Sequence, residues 1–169
     1  MALTGKPTFE EWLACTELDF EWGESYDSKD WTRLLAILAP TLSIDYAKVN
    51  NVFDDLSASA FITMMSNPKF LGNPLIDSQH LFGAGAKWVK ESDNEISAHH
   101  QSRAAHVRWT DDTKKEVAAR GHGHGSVLIK YRKVEGVWKW AGIKTFVRWN
   151  EHDWDKVFED LDGKGHERK

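Results

Sequence analysis

The chain has 169 residues, a length that points to one domain, and its net charge of −4 from 22 basic and 26 acidic residues argues against the basic face of a nucleic-acid binder. No stretch approaches the ~20 apolar residues that span a bilayer, and Met1 is followed by Ala-Leu-Thr-Gly-Lys-Pro, not by an apolar run of signal-peptide length. Cys15 is the single cysteine, so no intrachain disulfide forms, and a soluble, cytoplasmic protein in a reducing compartment is expected.

Thr8 followed by Phe9-Glu10-Glu11 reads as an N-cap with acidic residues in the first turn. Phe9, Trp12, Leu13, Thr16, Phe20 and Gly23 then recur at helical spacing, which predicts a helix from Thr8 to Ser25. Ser28-Lys29-Asp30 opens a second helix with Trp31, Leu34, Leu35 and Leu38 as its stripe, and Pro40 ends it. Residues 41–46 alternate and read as a strand. A third helix spans Ala58 to Ser66, and Gly72-Asn73-Pro74 forms a turn.

The second half reads as four long strands, 77–90, 95–109, 114–133 and 137–149. The turn signals between them are Glu91-Ser92-Asp93-Asn94, Thr110-Asp111-Asp112 and Glu135-Gly136. A short helix from Asp153 to Leu161 follows, then a polar tail over 162–169 expected to be flexible. Helices first and an antiparallel meander afterwards is an α+β pattern, one domain over 1–169. A curved sheet covered on one face by helices leaves a concave pocket.

Tyr26, Asp27, Tyr46, His80 and His106 all fall in stretches that read as core-facing. A buried polar group without a partner costs roughly 1–3 kcal/mol, so five of them suggest a polar pocket in an apolar shell. Imidazole is the natural proton carrier for such a site. Strand period puts Ala104, Ser102, His100 and Arg108 on the face of His106, with His99, Gln101 and Arg103 on the other. The small residues 102 and 104 leave room for a ligand beside His106. Nine tryptophans either pack the core or line a pocket for a planar ligand.

His122 and His124 share one strand face in Arg120-Gly-His-Gly-His-Gly-Ser. Two histidines rarely hold a metal alone, and no third ligand stands nearby in sequence, so no metal centre is expected. Gly121, Gly123 and Gly125 occupy the other face. There they allow close backbone approach or a sharp bend of the sheet.

Several segments together resemble scytalone dehydratase, a fungal enzyme family of dihydroxynaphthalene-melanin synthesis. They are Trp22-Gly-Glu-Ser-Tyr26-Asp27-Ser-Lys-Asp-Trp31, Ala39-Pro-Thr-Leu-Ser-Ile-Asp-Tyr46, Ser78-Gln-His80, His100-Gln-Ser-Arg-Ala-Ala-His106, Gly121-His-Gly-His124 and Gly136-Val-Trp-Lys-Trp-Ala-Gly142. The resemblance runs from about Phe9 to Glu159. It implies a cone-shaped α+β barrel of the nuclear-transport-factor-2-like (SnoaL-like, cystatin-like) superfamily, with a C-terminal helix over the pocket. It also implies a homotrimer and cofactor-free dehydration of a polyketide-derived bicyclic ketone. In that family two tyrosines hold a water against the substrate carbonyl, matching Tyr26 and Tyr46. Two histidines carry protons, matching His80 and His106, and an aspartate matching Asp27 supports them. Trp22 lies in the first matching motif and is a candidate wall of the pocket, as is Ala104. The family's apolar wall matches Met64, Phe70 and Leu71. Two aromatics that close over the ligand match Trp154 and Phe158, where phenylalanines are usual.

One departure matters. The family carries an inward serine and asparagine on the strand after the His-x-His run, where this chain has Gly125 and Val127. Recruiting Ser126 by a one-residue slip would turn every side chain to the opposite face. The loss of these anchors implies a less hydroxylated or larger substrate, because a site built around a hydroxyl discriminates by up to about 10⁴–10⁵. The residues support enolisation with loss of water. The same apparatus would also serve an isomerase or cyclase of a related polyketide pathway, or a non-catalytic binding module.

Overall fold

The computed structural model describes residues 5–46 and 51–159. Thr8 caps the first helix, α1 (Phe9–Ser28), through a reciprocal capping box: its hydroxyl accepts from the Glu11 N–H at 3.3 Å while Glu11 Oε2 accepts from the Thr8 N–H at 3.0 Å. The helix runs three residues past the expected Ser25 and so carries Tyr26 and Asp27 in its last turn. Lys29 stops it in the left-handed region at φ 57°.

Asp30 caps α2 (Trp31–Ile37) by accepting from the Arg33 N–H at 2.9 Å. This helix ends earlier than Pro40, because the chain is already extended at Leu38 and β1 (Leu38–Tyr46) begins there. Pro40 therefore lies inside a strand. It does so where the β1–β6 register shifts between Leu38 and Ser43, an irregular stretch that tolerates a missing N–H. A further strand, β2 (Asn51–Ser57), and the helix α3 (Ala58–Met65), capped by Ser57, complete the first half.

The four long strands are β3 (Ile76–Ser92), β4 (Glu95–Trp109), β5 (Val117–Val134) and β6 (Val137–His152). They form the expected antiparallel meander inside a six-stranded sheet of order β2-β1-β6-β5-β4-β3. One pairing differs: β1 lies parallel to β6, with β2 antiparallel at the edge. The result is a mixed α+β fold, a curved sheet with the N-terminal helices against it. The last helix, α4, covers only Trp154–Val157. The end of the expected helix, residues 160–161, and the tail 162–169 lie outside the described residues. No helix among the described residues is long and apolar enough to cross a membrane.

The core centres on Trp22, stacked between Phe82 at 5.2 Å and Trp140 at 6.1 Å, with Phe61 stacked on Trp140 in turn at 5.8 Å. Trp12 and Trp149 are exposed, so the tryptophans divide between packing and surface. A second polar cluster is buried away from the histidine pair: Tyr131 donates to Asp19 at 2.5 Å, and His100 Nε2 lies 3.2 Å from the same carboxylate. Free Cys15 is nearby, its thiol pushed up to about 12 by burial and then by the Asp19 charge, which leaves it unreactive.

Candidate active site

The last turn of α1 faces the middle of β3. Asp27 captures His80 twice, accepting from its backbone N–H at 2.9 Å and from ring Nδ1 at 2.7 Å. An ionised carboxylate only accepts, so Nδ1 carries the hydrogen and Nε2 is the free nitrogen. The Tyr26 ring meets the His80 ring edge-on at 5.3 Å, and Trp22 meets it at 5.4 Å. The Tyr26 hydroxyl is buried without a hydrogen bond of good geometry. It faces the Tyr46 phenol and the Trp22 indole, both close enough to shift its acidity. Burial first, and Tyr46 second, push Tyr26 well above the ordinary phenol value. Burial pushes Tyr46 up to about 12, with the neighbouring Tyr26 hydroxyl acting the other way. Both phenols are thus protonated donors at any physiological pH.

His106 lies across the β3–β4 ladder, its ring 5.4 Å from that of His80. Its direct register partner is Ser78, whose hydroxyl is 2.8 Å from His106 Nδ1. Ser78 is a candidate site residue that the sequence reading did not single out. The signal was there, since Ser78 and His80 share a strand face, but the register that puts Ser78 opposite His106 is set by long-range pairing. His106 is 3% exposed. Burial, then the His80 ring and the Lys29 ammonium, hold its imidazole well below the ordinary value of about 6.5, so it is neutral.

Trp154 and Phe158 close over this ring from the C-terminal end, at 5.2 Å and 5.1 Å, and Phe70 backs Phe158 at 5.5 Å. Gly121 makes the closure possible, because a Cβ there would stand 2.5 Å from the Trp154 Cα. Ala104 occupies the row between His80 and Gly123, and the Trp154 indole lies against Gly123. Leu71 and Val127 are buried and Met64 half-buried in the main core that holds Trp22 and Tyr26.

The backbone accounts for one of the two departures. Gly125 stands at a register shift between β5 and β6, where a Cβ would meet the Phe146 carbonyl oxygen at 2.2 Å, so no larger residue fits without rearrangement. Ser126 turns to the opposite face and reaches His99 Nε2 at 2.9 Å. The polar anchor is therefore not recovered from the neighbouring serine. His122 and His124 also lie on that outer face. The sequence offered them no third ligand, but the fold supplies two: Glu151 Oε1 lies 2.9 Å from His122 Nδ1, and His152 joins the same group.

The chain matches the family model described as scytalone dehydratase over residues 6–165. It belongs to the scytalone dehydratase family. It is 46% identical to the scytalone dehydratase-like protein AacuK of Aspergillus aculeatus over 159 residues, covering 94% of this chain and 90% of that protein. It is 46% identical to scytalone dehydratase of Colletotrichum orbiculare over 157 residues, covering 92% and 83%. Two solved structures share the fold at low identity. The Kfla4162 protein of Kribbella flavida superposes with a TM-score of 0.71 at 14% identity, over 84% of this chain and 93% of that one. A protein with a cystatin-like fold from Nostoc punctiforme gives 0.57 at 15% identity, over 85% and 95%. The family's expected fold, nuclear-transport-factor-2-like, is the one observed.

Proposed function

We propose that this member of the scytalone dehydratase family is a cofactor-independent hydro-lyase, acting on a hydroxylated aromatic polyketide ketone of the scytalone type in fungal melanin or other secondary metabolism. The observation that carries the reading is the contact between neutral, buried His106 and the Asp27-held ring of His80, with the Tyr26 phenol against that ring. Tyr26 and Tyr46 stabilise the enolate oxygen, directly or through one water. A neutral imidazole takes the proton from the carbon alpha to the ketone. Once protonated it is a strong acid, because burial disfavours its charge, and it returns that proton to the departing hydroxyl from the same face. The C–H and C–O bonds break, a C=C bond forms, and water leaves. We assign the base role to His106 and the orienting and proton-sharing role to His80 with Asp27. Trp22, Met64, Phe70, Leu71, Ala104, Gly125, Val127, Trp154 and Phe158 form the enclosing wall.

The buried Val127 and the tightly packed Gly125 favour a substrate with fewer hydroxyls, or a related isomerisation or cyclisation in the same pocket. Mass-resolved turnover of scytalone and of deoxygenated relatives separates these. Loss of one water mass is expected, whereas conversion with retained mass would replace the dehydratase with an isomerase or cyclase. A homotrimer is the proposed assembly, supported by the family resemblance. Light scattering at three chain masses tests it. A cytoplasmic location fits the free, buried Cys15 and is tested by fractionating cells that express the chain.

A further inference from the structure

The outer face of the sheet carries a second cluster that the dehydration does not use. We propose that His122, Glu151 and His152, with His124 as a further donor, bind one divalent transition-metal ion of the zinc class. The residues come from two adjacent strands. His122 on β5 is the direct register partner of Glu151 on β6, and His124 is two residues further along the same face. Alternation would send His152, the neighbour of Glu151, to the opposite side. It is turned back by a left-handed backbone at φ 59°, a conformation uncommon outside glycine. Strained residues of this kind cluster where side-chain placement matters.

The distances fit a shared ion. Glu151 Oε1 lies 2.9 Å from His122 Nδ1, 3.1 Å from His124 Nε2 and 3.9 Å from His152 Nε2. The donor atoms of His122, Glu151 and His152 are all within 4.8 Å of one another. In a tetrahedral zinc site with bonds of about 2.0–2.1 Å, neighbouring donors stand roughly 3.3 Å apart. Small side-chain movements therefore bring His122, Glu151 and His152 to ligating distance, while His124 approaches the group through Glu151 alone. Imidazole with one carboxylate selects zinc, copper or nickel over calcium and magnesium. The rings of His122 and His124 are about four-fifths covered while His152 and Glu151 are more open, which leaves the ion a path in. Arg103 is the competitor: its guanidinium is 2.7 Å from His122 Nδ1 and 3.7 Å from Glu151 Oε1. Being half exposed, it must swing into solvent when the ion enters, and it limits the affinity.

The test uses the full-length, tag-free protein, dialysed against chelator and titrated with zinc by calorimetry. One ion per chain is expected, with no comparable uptake of magnesium. His122→Ala and His152→Ala each weaken zinc binding at least about tenfold, as loss of a first ligand should exceed the 10–100-fold effects seen for outer partners. His99→Ala, an imidazole of the same face outside the cluster, leaves binding unchanged. Glu151→Gln, which keeps shape and removes charge, weakens binding and serves if an alanine variant fails to fold. Absence of saturable zinc binding, or equal affinity in wild type and in Glu151→Gln, overturns the proposal.

Discussion

His80→Asn and His106→Asn each lower turnover by about 10²–10⁴-fold, the usual contribution of a positioned acid or base. Both rings are held from behind, His80 by Asp27 and His106 by Ser78, and their centres stand 5.4 Å apart, so neither has much freedom to adapt. Steady-state kinetics on the preferred ketone measures the loss. Turnover within tenfold of wild type in either variant removes that histidine from the chemistry.

His106 offers a second readout that does not need substrate. Burial lowers its folded pKa below the unfolded value of about 6.5. As pH falls, the unfolded chain takes up this proton first. The stability present above about pH 6.5 is therefore lost on acidification, by up to about 1.4 kcal/mol per pH unit until the folded pKa is reached. In His106→Asn this share of the acid loss disappears. Urea unfolding at pH 7 and pH 5 compares the two proteins. Equal losses would contradict a neutral, desolvated imidazole at this position.

Tyr26→Phe lowers kcat by about 10²–10³-fold with little change in folding stability. The ring keeps its tilted contact with Trp22 at 4.4 Å, so packing is kept. The hydroxyl that goes makes no well-formed hydrogen bond and is buried, so its removal does not weaken the resting protein. What is lost is a donor aimed at charge that develops during reaction. Tyr46→Phe acts in the same direction. A raised KM with unchanged kcat would mean that the phenols bind substrate without stabilising the enolate. A stability loss above about 2 kcal/mol would mean that the Tyr26 hydroxyl is structural.

Much of this was legible in the sequence, for identifiable reasons. The Thr8–Glu11 capping box is local, and so is the apolar spacing of α1. The alternation around His106 correctly separates buried His100 and His106 from exposed His99, Gln101 and Arg103. The misses are long-range or conformational. Edge strand β2 shows mostly exposed residues between 52 and 57, so no buried alternation announces it. Pro40 reads as a helix stop, yet the helix had already ended, and the proline fits β1 only because of a register shift against β6, a hundred residues away. Ser78 gains meaning through the pairing that sets it opposite His106. Glu151 and His152 are adjacent in sequence and should diverge on a regular strand. They share a side only because His152 is left-handed. The Gly125 position was recognised as a departure, but its cause, a carbonyl packed where a side chain would go, is visible only in three dimensions.

The most direct test is a crystal structure with a ketone analogue that lacks the leaving hydroxyl. The carbonyl oxygen should lie within about 2.6–3.2 Å of the Tyr26 and Tyr46 hydroxyls, or of one water bridging them, with the alpha carbon facing the free nitrogen of His106. An analogue found instead on the outer sheet face, or inside with its carbonyl turned away from both phenols, would contradict the account.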